Sequence, residues 1–70
     1  MHHFRFIIRA SDFTYDDPHG RALPSEWAAK DHARRIIREL RQDGFDPSSV
    51  LLVTDDKGAT VHSIPFWMPA

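Results

Sequence analysis

Ser25–Asp43, SEWAAKDHARRIIRELRQD, is the stretch whose reading decides the fold. Ala29, Ala33, Ile36, Ile37 and Leu40 follow one another at spacings of 4, 3, 1 and 3. At about 100° per residue they fall on one stripe roughly 100° wide, the pattern of a helix that covers a sheet. Ser25 precedes the first helical residue, where its hydroxyl can accept an orphan N–H of the first turn. Glu26 puts negative charge at the positive end of the helix dipole. Gly44 suits the left-handed position just past the end. Phe45 then pairs with Leu40 as the apolar contact of a Schellman ending, and Asp46-Pro47 prevents continuation. The small Ala29 and Ala33 allow close approach in the first half; Ile36, Ile37 and Leu40 fill the second.

Upstream, Phe4–Ala10 (FRFIIRA) alternates, with Phe4, Phe6 and Ile8 on one face and Arg5, Ile7 and Arg9 on the other, as in a half-buried strand. Ser11-Asp12 is a turn, and Phe13–Asp16 (FTYD) returns with Phe13 and Tyr15 on one face. Asp17–Gly20 is loop chemistry, and Leu23 anchors the helix start. Downstream, Val50–Thr54 (VLLVT) is a strand apolar on both faces. Asp55–Gly58 is a hairpin turn of type I with Gly58 as a bulge, and Thr60–Ile64 returns. Either Val61 and Ser63 or His62 and Ile64 face the helix, since a slip of one residue exchanges the two faces. Pro65, with no donor, ends the ladder.

The order is therefore β-β-α-β-β: an α+β domain with an antiparallel sheet of two hairpins (4–16 and 50–65), one helix (25–43) packed on one face, and an apolar tail (66–70). The second sheet face has no cover within the chain. Seventy residues allow one domain that buries only about 60% of its unfolded surface. Without cysteine, neither disulfides nor thiolate metal sites support the core, so packing must, with or without dimerisation.

Taken together, these residues resemble a family of short bacterial proteins classed as a domain of unknown function. The matching features are Phe4-Arg5-Phe6, the Asp16-Asp17…Gly20 loop and Leu23-Pro24 before an Ala-rich helix. The ending Val53-Thr54-Asp55-Asp56-Lys57-Gly58, followed by Ile64-Pro65-Phe66, matches too. The chain departs at His62, where the family tends to an aliphatic residue, and at Trp67-Met68, where it turns polar. The resemblance spans nearly the whole chain. It implies an independent small domain and carries no activity, cofactor or catalytic residue.

Nine basic and ten acidic residues give a formal charge of −1, which removes any global attraction to nucleic acid or anionic membrane. No apolar run approaches the roughly 20 residues of a membrane span, and Met1-His2-His3-Phe4 is not a secretory signal; the cytoplasm is the expected location. Asp16, Asp17 and His19 read as turn composition before they read as metal ligands. The five histidines are irregularly spaced, and there is no phosphate loop, nucleophile elbow or His-Glu-x-x-His. The expectation is a non-enzymatic protein that needs no cofactor or metal.

Two surfaces stand out. Trp27 points almost opposite the apolar stripe, either folding onto the preceding loop or lying exposed. With Ile7, Phe66, Trp67 and Met68 it exceeds what one helix face can cover, which marks a candidate interface. On the helix, Arg34, Arg35, Arg38 and Arg41 form a candidate anion or nucleic-acid face, although Asp31 can pair with Arg35 and Arg35 with Glu39 to leave an ordinary salt-bridged surface. The first expectation is thus a self-associating interaction module, a homodimer or a binder of another protein, built through the open sheet face or the tail. The second is a small nucleic-acid-associated regulator. A third, by analogy of fold alone, is an antitoxin-like partner protein.

Overall fold

The computed structural model describes residues 1–17 and 19–67. Five antiparallel strands form one sheet with a single helix, in the order β1 (His2–Arg9), β2 (Thr14–Asp16), β3 (Arg21–Leu23), α1 (Glu26–Gln42), β4 (Val50–Thr54) and β5 (Thr60–Pro65). The fold is α+β, with one strand more than the hydrophobic pattern indicates.

That extra strand has a tertiary origin. β1 is central: Arg5–Arg9 pair with β4, and the opposite edge pairs first with β2, at Ile7–Arg9, and then with β3, at His2–Phe4. The chain from Thr14 to Leu23 thus runs along a single edge of β1. Four residues (17–20) stand between the two paired segments where β1 has only Arg5 and Phe6, so the loop takes up two extra residues as a bulge does. Gly20 returns the chain to the ladder at φ +64°, and a Cβ there would collide with the Phe4 carbonyl oxygen and stand 2.7 Å from His3 Nε2. Only glycine fits. Arg21-Ala22-Leu23 has little strand propensity of its own; it pairs because β1 extends back to His2 and leaves an edge open.

The helix forms as its caps dictate. Ser25 Oγ accepts the Ala28 N–H at 3.2 Å. At the other end Gly44, φ +83°, donates to the Arg41 carbonyl (3.1 Å) and Phe45 to the Leu40 carbonyl (3.0 Å), the paired bonds of a Schellman ending. The Asp55–Gly58 turn is closed by Gly58 N–H donating to the Asp55 carbonyl at 3.1 Å, with Gly58 at φ +86°.

Phe4, Phe6 and Ile8 of β1 and Leu51 and Val53 of β4 meet Ala29, Ala33 and Ile37 of α1 in the core. The register pairs Leu51 with Ile64 and Val53 with His62, so His62 and Ile64 lie on the helix side. The His62 Nε2–H donates to the Glu26 carbonyl at 2.9 Å. A bulge follows, between Val53 and Thr54. The Phe66 N–H donates to the Ser49 carbonyl (2.9 Å), which sets the ladder's phase. The nitrogen of Pro65 therefore faces the free edge of β5, where the missing donor costs nothing.

Candidate functional site

One helix cannot cover a sheet this wide, and the uncovered strip lies beside β2. Ile8 pairs with Tyr15, which puts Tyr15 on the helix side of the sheet, and Phe13, two residues earlier, shares that face. Both aromatics are more than half exposed, at 53% for Phe13 and 58% for Tyr15. Together with Ile8, Ile36, Leu40 and Phe45 they line a cleft of about 310 Å³ between β2 and α1. Phe13 meets Phe45 edge-on at 6.1 Å, and Phe45 lies 5.6 Å from Phe66. An aromatic row thus runs from the core to the surface.

The cleft continues past Ile8, Tyr15 and Ile36 into a smaller recess of about 160 Å³ that Asp17, Arg21 and His32 reach. His32 packs edge-on against Phe6 at 4.9 Å. Burial holds its pKa below the usual histidine value; Arg21 and Arg35 push it the same way, and Glu39 opposes them. The imidazole is therefore neutral at physiological pH. A neutral ring, a guanidinium and a tyrosine hydroxyl around an apolar floor suit recognition. The loop carboxylates are occupied by structure: Asp16 pairs with Arg5 at 2.6 Å, and Asp17 accepts the His19 N–H at 3.1 Å. Among the described residues no group of three or more His, Asp or Glu could hold a metal ion, and no helix is long and apolar enough to cross a membrane.

The residues singled out in the sequence do not make one surface. Ile7 is half-buried on the sheet's outer face, opposite Leu52 and Asp16. Trp27 is 73% exposed at the start of the helix, with Lys30 Nζ 5.6 Å from its ring. Phe66 corrects the expectation of an interface residue. It is fully buried, because its N–H continues the ladder to the Ser49 carbonyl and its ring packs 5.6 Å from Phe45. Trp67, its neighbour, is 65% exposed, and Met68 lies outside the described residues. The helix arginines correct a second expectation: among the described residues neither Asp31 with Arg35 nor Arg35 with Glu39 forms an ion pair. Arg35, Arg38 and Arg41 are exposed and Arg34 half-buried. The sequence does not mark Phe13, Tyr15 and Phe45 as a site, because each has a ready structural role by itself: Phe13 and Tyr15 as one face of a hairpin strand, Phe45 as the apolar contact of the helix ending.

Fold and surface define a small two-layer α+β domain with an open aromatic cleft at one sheet edge. The chain belongs to the DUF6894 family, a domain of unknown function whose family model matches residues 3–67. Comparison with curated proteins and with solved structures finds no match.

Proposed function

We propose that this protein is a non-enzymatic self-associating module that closes the α1–β2 cleft against a second copy of itself. The observation that carries this reading is the exposure of Phe13 and Tyr15 over an apolar floor. Removing apolar surface from water is worth roughly 25 cal/mol per Å², and aromatic contacts add about 0.5–1.5 kcal/mol each. A two-fold arrangement supplies two such clefts and two sets of aromatics at once, as a closed dimer requires.

The backbone beside the cleft supports the same face. Ala10 N–H donates to the Phe13 carbonyl and Asp17 N–H to the Phe6 carbonyl. The intervening phase turns the peptide groups of Thr14 and Asp16 away from β1. Those groups are free to pair with an added strand. At the sheet's other edge, Pro65 removes one donor from β5.

Sedimentation equilibrium from low to high micromolar concentration tests the reading. The expected result is a mass that rises towards the dimer, and a Phe13→Ser, Tyr15→Ser variant that stays monomeric with unchanged far-UV circular dichroism. A monomer throughout the range, or a dimer indifferent to both substitutions, refutes it.

A further inference from the structure

We infer that the outer flank of α1 is a binding site for single-stranded nucleic acid, built from Lys30, Arg34, Arg38 and Arg41 with Trp27 as its stacking platform. The site lies apart from the α1–β2 cleft and stands or falls independently of it. Trp27, Lys30, Arg34, Arg38 and Arg41 are spaced 3, 4, 4 and 3 residues apart. At 100° per residue all five lie within an arc of roughly 80°, in a ridge about 21 Å long. His32 and Ile36, on the other side of the buried stripe, face Phe6 and the β2 cleft, so this ridge is the opposite flank.

Cations outnumber carboxylates along the ridge. Asp31 stands beside Arg38 at its outer margin, Glu39 falls further round the helix, and Glu26, Asp55, Asp56 and Lys57 border the groove at Trp27. Among the described residues none of these carboxylates pairs with a helix cation. Arg38 joins two shallow grooves, one with Arg34 and Arg35 beside Asp31 and one with Arg41 over Ile37. A row of cations that form no ion pair among the described residues complements a chain of phosphates.

Trp27 selects among polyanions. It is 73% exposed, with Lys30 Nζ 5.6 Å from its ring centroid, and the aromatic surface left uncovered offers a base a stacking contact that neither an acidic peptide nor a regular duplex would use. A membrane surface fits less well, since the apolar stripe that would enter it is buried against the sheet. Single strands also suit a protein whose formal charge is only −1, because stacking adds to what few phosphate contacts supply.

The test uses the full chain carrying Trp67→Phe, which leaves Trp27 as the only tryptophan, titrated with a fluorescent oligo(dT) at several salt concentrations. Binding is expected to quench Trp27. The logarithm of affinity should fall with the logarithm of salt at a slope no steeper than about −3, from four contacts at roughly 0.7 each on a single strand. Arg34→Ser with Arg38→Ser should flatten that slope by about 1.4, and Trp27→Ala should weaken binding about five- to a hundred-fold, each with unchanged circular dichroism. No binding at low salt overturns the assignment. So does a slope indifferent to the arginine pair, or equal binding to polyglutamate or phosphatidylserine vesicles with Trp27 unquenched.

Discussion

Phe66 and Trp67 are adjacent in sequence and opposite in consequence. Phe66 is fully buried, lies 5.6 Å from the Phe45 ring and is tied by its N–H to Ser49; Trp67 is 65% exposed. Truncating a buried phenylalanine to alanine costs about 3–5 kcal/mol through lost transfer energy and the cavity left behind. The whole domain is worth roughly 4–10 kcal/mol at typical per-residue stability, so Phe66→Ala removes about 30% of it or more. With a urea dependence of about 1 kcal/mol per molar for a chain this small, the midpoint should fall by some 3 M or more. Trp67→Ala should cost no more than about 0.5 kcal/mol, as surface changes do. Urea titrations followed by far-UV circular dichroism, at concentrations low enough to keep the protein monomeric, measure both. If Phe66→Ala leaves no folded baseline, Phe66→Leu keeps most of the volume and gives a readable intermediate loss. Equal losses at the two positions, or a loss below about 1 kcal/mol for Phe66→Ala, would show that the tail does not close the core.

Three further outcomes follow from the same geometry. Gly20→Ala should destabilise by clearly more than Gly44→Ala, read as thermal midpoints. Both glycines have positive φ, worth about 1–2 kcal/mol against alanine, but only at Gly20 would the new Cβ also strike the Phe4 backbone, while Gly44 faces open space. Ser49 is fully buried, and among the described residues its hydroxyl has no partner. Ser49→Ala should therefore stabilise the protein, by about 1 kcal/mol in a denaturant titration, since it removes an unpaired polar group. His32 is held below its usual pKa by burial and by Arg21 and Arg35. The unfolded chain then binds the proton first, and stability should decline as pH falls below about 6.5 towards the lower folded value. His32→Gln should flatten that decline in thermal melts across the same range.

The sequence by itself determined the local structure: the limits of α1 from Ser25 and the Gly44–Phe45 ending, the buried Ala29–Ala33–Ile37 stripe, the alternation of β1, and the turn at Asp55–Gly58. Each rests on bonds and contacts between residues a few positions apart, so neighbouring side chains suffice to specify it. Tertiary structure decided everything that depends on which edge meets which. Arg21-Ala22-Leu23 becomes a strand because β1 has a free edge. His62 and Ile64 turn inward because β4 sets the register. Phe66 enters the core because the end of β5 brings it beneath Phe45, while Trp67 stays outside. The cleft has the same origin. Phe13, Tyr15 and Phe45 come from segments some thirty residues apart, and they stand exposed together because a single helix leaves the β2 side of the sheet uncovered.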